Sequence, residues 1–213
     1  MTDTNKKLLV FDFSGTLETS GKLYEGIADM LKQLHDSEDY HMVILSRASR
    51  SSIQDILAEE SERLYPRGDV NLETYFEAIY DMDDIIQANH GSPDKSDPRV
   101  LRSVVQDLAD REIEIEREEA VVVGDTSAEH LMGKRCGIGF VYAGWHDPKR
   151  GKASKSGLDE IYATPDSGHV AITREDISQA VAPESPLELP AKLQAMFKQR
   201  NAPFMRPDAA PER

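Results

Sequence analysis

Four short apolar runs punctuate the chain: 7–13 (KLLVFDF), 41–45 (HMVIL), 120–123 (AVVV) and 138–142 (IGFVY). Runs of this length predict strands buried on both faces, as in a parallel sheet. Between them apolar residues recur at three- and four-residue spacing. Ile27, Met30, Leu31 and Leu34 mark a helix over 24–34, and Ile53, Ile56, Leu57 and Leu64 mark one over 47–64. Val100, Leu101, Val104, Val105 and Leu108 mark a third over 100–108. A fourth is predicted over 127–135, with Gly137 as its C-cap. The patch 75–79 (YFEAI) reads as a short strand or turn. Strand and helix in alternation predict an α/β fold, a doubly wound parallel sheet covered by helices on both faces.

At 213 residues the chain suits one sizeable core with a short appendage. The appendage starts at Pro183. From there on lie six of the eleven prolines, and five Lys or Arg stand against four Asp or Glu in a chain whose formal charge is −14. The expected organisation is a catalytic domain over 1–182 and a proline-rich tail over 183–213, either partly disordered or holding one docking helix. Leu189, Leu193, Met196 and Phe197 supply the helical spacing for that helix.

The charge narrows the partners. A net −14 repels polyanions at long range, so neither nucleic acid nor an anionic membrane is expected to bind. No stretch approaches the roughly 18 to 20 consecutive apolar residues of a membrane span, and the first residues are polar. A soluble, cytoplasmic protein is expected. Cys136 is the single cysteine, so no intrachain disulfide and no cysteine-rich zinc site can form.

In an open parallel sheet ligands bind beyond the carboxyl ends of the strands, so polar residues just after the apolar runs carry the chemistry. Asp12 follows LLVF, Ser46 follows MVIL and Asp125 follows VVVG. Lys95 lies in the loop before the helix at Val100. Asp12 and Asp125 suit a hard divalent cation, best Mg2+. Ser46 can donate to a phosphoryl oxygen, Lys95 supplies a point charge for the transition state, and an oxygen of Asp12 can attack phosphorus. A phosphorylated small molecule, or a phosphoprotein, is the expected partner. His41, His90 and His130 have no metal-ligand spacing and read as structural, and Trp145 receives no role.

These segments together resemble the motif set of the haloacid dehalogenase superfamily of hydrolases. FDFSGTL at 11–17 looks like its first motif, with Asp12 as nucleophile and Thr16 in the Gly-Thr pair. Ser46 matches the second motif, Lys95 in KSDPRVL the third, and VVVGDTSAE, with Asp125 and Glu129, the acidic fourth. The resemblance spans about residues 7–145. It implies phosphate binding by Thr16, Ser46 and Lys95. The implied metal ligands are Asp12, the carbonyl of Ser14 and Asp125, with Glu129 acting through water or as an alternative ligand. It also implies an aspartyl-phosphate on Asp12.

One departure stands out. Most phosphatases of the superfamily carry a second Asp two residues after the nucleophile, as general acid and base. Here that residue is Ser14. Losing such a group typically costs about 100-fold to 10,000-fold, so slow hydrolysis is expected. Two alternatives stay open: a non-catalytic binding protein on the same fold, or a dehalogenase or phosphonatase branch, which also lacks this Asp. A receiver domain is disfavoured, because receivers pair two acidic residues at the end of the first strand. The spacing from Leu17 to His41 leaves room for one helix and a turn, so no large cap domain is expected and the site should be open. Closure by a second copy in a homo-oligomer, or by the tail, is left open.

Overall fold

The chain reverses its winding direction about one strand, β1 (Lys7–Phe11). In the computed structural model, which describes residues 6–116, 119–146 and 182–200, β1 pairs in parallel with β4 (Tyr40–Leu45) on one side and with β6 (Ala120–Gly124) on the other. β5 (Ala78–Tyr80) extends the sheet beyond β4, and β7 (Gly139–Tyr142) extends it beyond β6. The order is β5-β4-β1-β6-β7, a doubly wound sheet whose switch point lies at the carboxyl end of β1.

Side chains alternate across this sheet with period two. Leu9 and Phe11 of β1, Met42 and Ile44 of β4, and Val121 and Val123 of β6 face one side. They meet Ile27, Met30, Leu31 and Leu34 of α1 (Ile27–Asp36) and Ile53 and Leu57 of α2 (Arg50–Leu64). Leu8, Val10, Val43, Leu45 and Val122 face the other side. There they meet Ile85 of α3 (Met82–Ala88), Val100, Leu101, Val104 and Leu108 of α4 (Pro98–Asp110), and Met132 of α5 (Ser127–Cys136). Double-sided burial explains why the strands read as unbroken apolar runs.

Three details refine the sequence expectation. The second helix starts at Arg50 rather than Arg47, because Ser49 caps it by accepting from Ser52 N–H. The 75–79 patch divides into a 3₁₀ turn, Leu72–Tyr75, and the edge strand β5, with Phe76 packing edge-on to Phe11 at 6.4 Å. A two-stranded hairpin, β2 (Glu18–Thr19) and β3 (Lys22–Leu23), follows β1 and carries positive φ at Ser20 and Gly21.

From β3 only residues 24–26 lead to α1, so no domain is inserted there. At the far end of the chain, α6 (Leu189–Arg200) buries Leu189, Leu193 and Phe197 in the same core as α1. Residues 201–213 of the proline-rich segment lie outside the described residues. Among those described, no helix is long and apolar enough to cross a membrane.

Candidate active site

Asp12 is the first residue beyond β1, and its N–H donates to the carbonyl of Val123 across the switch point at 2.9 Å. The chain then turns tightly. The carbonyl of Phe13 accepts from Thr16, Leu17 and Glu18, while Phe13 and Leu17 sink into the core. Gly15 adopts φ +87°, and a Cβ there would lie 2.4 Å from Asp125 Oδ2. Glycine is therefore required twice over: for the left-handed backbone and for the close approach of the Asp125 carboxylate.

That turn brings two carboxylates to one hydroxyl. Thr16 Oγ1, fully buried, lies 3.2 Å from Asp125 Oδ1 and 3.4 Å from Asp12 Oδ2. On the other oxygen of Asp12 sits Lys95, whose Nζ is 2.5 Å from Oδ1 and 2.9 Å from Glu129 Oε1. Lys95 and Glu129 are buried to within a few per cent, and Asp12 is 8% exposed. Burial by itself would lower the pKa of Lys95, but the carboxylates of Glu129 and Asp12 hold it above its ordinary value. Glu129 is held below its ordinary value: burial works against ionisation there, but Lys95 and the Thr126 hydrogen bond outweigh it. Asp12 is raised, chiefly by burial, with Lys95 opposing and Glu129 adding to the effect.

Glu129 is also a helix cap. Thr126 caps α5, and the two form a capping box in which Glu129 Oε2 accepts from Thr126 N–H at 3.1 Å and from its hydroxyl. Both oxygens of Glu129 are thus engaged, one by the cap and one by Lys95. Gly124 makes room for this side chain, since a Cβ there would fall 2.3 Å from Glu129 Cγ.

Ser46 is the first residue beyond β4, two past the Phe11–Ile44 pair and so one past the level of Asp12, and is 1% exposed. Its hydroxyl accepts from Ala48 N–H at 3.2 Å. Ser14 is exposed and forms an isolated bridge with Glu18. The fold therefore gathers Asp12, Thr16, Lys95, Asp125 and Glu129 into one contact network and sets Ser46 and Ser14 at its edge.

Three contributors have no role in the sequence reading. Thr126 carries the Thr-x-x-Glu capping signature, which was visible in the chain. Trp145, in the 3₁₀ turn Gly144–His146 after β7, donates its indole N–H to the carbonyl of Thr16 at 2.9 Å. Arg135, in the last turn of α5, reaches the loop that carries Lys95. Nothing local in the sequence signals either of the last two. His41 pairs with Glu77 at 2.8 Å and His130 packs edge-on to Phe140, both outside the network.

Among the described residues, no group of three or more His, Cys, Asp or Glu is arranged to hold a metal ion. The donor set nevertheless fits a hard cation. Asp12 and Asp125 are two carboxylates sharing a single hydroxyl hydrogen, so a divalent charge between them would relieve their repulsion.

A haloacid dehalogenase-like hydrolase family model matches residues 16–137. No curated protein is a significant match. Among solved structures, the L-2-haloacid dehalogenase from Xanthobacter autotrophicus superposes with TM-score 0.57 at 13% identity, covering 90% of this chain and 99% of its own. A haloacid dehalogenase-like hydrolase from Streptococcus pneumoniae gives 0.49 at 15%, covering 88% and 98%. A provisionally named phosphoglycolate phosphatase from Lactobacillus delbrueckii subsp. bulgaricus gives 0.46 at 15%, covering 82% of this chain. The chain spans only 54% of that protein's length. At its identity the likeness to the L-2-haloacid dehalogenase speaks to the fold alone.

Proposed function

The chain belongs to the haloacid dehalogenase-like hydrolase family, and we propose that it is a magnesium-dependent phosphatase that transfers a phosphoryl group to Asp12. The observation that carries the reading is the two-sided hold on Asp12: Lys95 on one carboxylate oxygen and Thr16, shared with Asp125, near the other. Such a hold would fix the attacking oxygen and supply positive charge to phosphoryl oxygens as they gain negative charge.

Asp12, the Ser14 carbonyl and Asp125 would hold Mg2+, with Glu129 reserved for Lys95 and the cap. Bound there, the cation would neutralise phosphate charge. Ser46 and Thr16 would orient the phosphoryl oxygens while Asp12 displaces the leaving group. The P–O bond to the leaving group would break as the bond to Asp12 forms, and water would then attack phosphorus, breaking the P–O bond to Asp12 and releasing inorganic phosphate with the Asp12 carboxylate restored. Ser14 cannot protonate the departing alkoxide, so substrates with good leaving groups are favoured. With no insertion between β3 and α1, a phosphorylated small molecule or a phosphoprotein side chain could reach the site. Cytoplasmic location is part of the same proposal.

The test is release of p-nitrophenol from its phosphate ester, with and without Mg2+. Wild type should turn over only with the metal, Asp12→Asn should be inactive, and Ser14→Asp should gain rate. A folded protein inactive in both wild type and Ser14→Asp would overturn the phosphatase reading. Ser14 itself favours a second reading, since the family's dehalogenases also lack an acid at this position. In that case halide release from a 2-haloacid, lost in Asp12→Asn, would appear instead.

A further inference from the structure

Lys95 makes its two contacts from a loop. Residues 89–97 join α3 to α4, yet they must hold an ammonium between two carboxylates with little freedom. Part of the loop's order is local. Asn89 Nδ2 donates to the carbonyl of Asp94 at 3.2 Å, and Asp94 Oδ1 accepts from Ser96 N–H at 2.9 Å and from its hydroxyl at 2.8 Å. These bonds shape the loop without fixing its place against the site.

The anchor comes from α5. Arg135 Nη1 lies 2.6 Å from Ser96 Oγ and 3.2 Å from the Ser96 carbonyl, and 4.0 Å from Asp94 Oδ2. Ser96 is 3% exposed, so its carbonyl needs a donor inside the protein. Apolar packing joins α4 to α5 through Leu101, Val104 and Met132, deeper in the molecule than this link. Near Arg135 the surface instead opens into a hollow of about 700 Å3, lined by Pro98, Leu101, Arg135 and Cys136 among others.

We propose that Arg135 is a positioning residue for Lys95, an inference resting on the reading of Lys95 as the phosphoryl-binding cation. α5 grips the loop at two points. Glu129 in its first turn takes the ammonium of Lys95, and Arg135 in its last turn takes the carbonyl and hydroxyl of the next residue. A cation in that last turn would favour the helix dipole in any case. The dipole asks only for charge, however, whereas the hold on Ser96 asks for the directed guanidinium.

Two readouts test it on the full chain, comparing Arg135→Met, Arg135→Lys and wild type. The first is kinetic: in Arg135→Met kcat for p-nitrophenyl phosphate should fall about tenfold to a hundredfold, as expected for a small misplacement of a catalytic group, with KM little changed. Arg135→Lys should recover part of that loss. The second needs no activity: acetylation of Lys95 by limiting acetic anhydride, followed by peptide mass spectrometry. Wild type should be protected, Arg135→Met labelled about tenfold faster or more, and Arg135→Lys in between. Unchanged Lys95 labelling in folded Arg135→Met would overturn the proposal, as would a loss of thermal stability with kcat of the folded fraction intact. If wild type lacks phosphatase activity while labelling responds as expected, the positioning role stands and the proposed reaction falls.

Discussion

Gly124 and Glu129 stand so close that a Cβ on the glycine would lie 2.3 Å from Glu129 Cγ and 2.7 Å from its Cβ. The end of β6 and the first turn of α5 are therefore fitted backbone to side chain, and the capping box and the Lys95 ion pair both hang on that fit. Gly124→Ala should displace Glu129 and cost about 1–3 kcal/mol, the usual range for overpacking a dense site. Thermal melts would show the loss. Phosphatase assays on the folded fraction should show a fall in kcat, because Lys95 loses one of its two partners. A variant with wild-type melting and wild-type rate would mean that Glu129 relaxes freely.

The triad Asp12–Lys95–Glu129 places one cation between two anions out of water. Removing the cation leaves two buried carboxylates with hydrogen bonds from Thr126 and Thr16 but no countercharge between them, so Lys95→Met should destabilise strongly, by about 3–5 kcal/mol. Glu129→Gln keeps much of the shape and should cost less. In the double variant only one buried carboxyl of the triad is left without the cation, so its cost should be smaller than the sum of the two. A double-mutant cycle by denaturant unfolding gives the coupling, and simple additivity would contradict the contact geometry.

Much of the molecule was legible in the sequence because double-sided burial writes strands as unbroken apolar runs. KLLVF, HMVIL and AVVV all lie in the sheet, and the polar residues that follow them lie at the same, carboxyl edge of it. The β2–β3 hairpin was not seen, because two-residue strands carry no period. Ser20-Gly21 was its only local sign. Glu129 was recognised as acidic and near the site. Its division between Thr126 and Lys95 depends on how α5 sits against a loop 34 residues earlier in the chain. The Trp145 and Arg135 contacts are long-range in the same sense, joining residues with no shared periodicity.

The proline-rich segment raises a separate question about stability. Leu189 and Leu193 are fully buried and Phe197 is 4% exposed, with Phe197 beside Tyr40 at 6.3 Å and under the Lys7 ammonium at 5.4 Å. If α6 belongs to the cooperative unit, Leu193→Ala should cost about 2–5 kcal/mol. The melting temperature should drop on the order of 10 °C, in a single transition. Activity below the transition should be unchanged, since none of these side chains belongs to the contact network around Asp12. A wild-type melt for Leu193→Ala would show that the helix only rests on the domain.

Acid should loosen the start of α4 in a defined window. Asp97 caps that helix by accepting from Arg99 N–H, and it also receives Arg99 Nε at 3.0 Å and Nη2 at 2.9 Å. The Arg99 side chain is the main cause holding its carboxyl down, to about 2 from an ordinary 3.8. A carboxyl depressed in the folded state adds stability that is present above the unfolded value and lost as pH falls through the folded one. The contribution should therefore fade between about pH 4 and pH 2. It should be small and salt-sensitive, because the pair is partly solvent-exposed. Asp97→Asn keeps a capping oxygen and removes the titration, so its melting temperature should depend less on pH across that window. Equal slopes for the two proteins would remove Asp97 from the acid response.

Trp145 offers a direct view of the metal question, because it is the only tryptophan and its indole N–H is bonded to the carbonyl of Thr16. Thr16 in turn carries the hydroxyl shared by Asp12 and Asp125. A divalent cation drawn between those carboxylates must take over lone pairs that now face the Thr16 hydroxyl, and the turn has to adjust. Indole fluorescence should therefore change on titration with Mg2+, saturably in wild type and not in Asp125→Asn. Trp145→Phe should lose the signal, cost about 0.5–1.5 kcal/mol for the missing hydrogen bond, and retain activity in proportion to how well the turn holds without it. A saturable response that persists in Asp125→Asn would place the cation elsewhere. A wild type that binds Mg2+ calorimetrically with silent fluorescence would mean that the Thr16 turn is already set for the metal before it arrives.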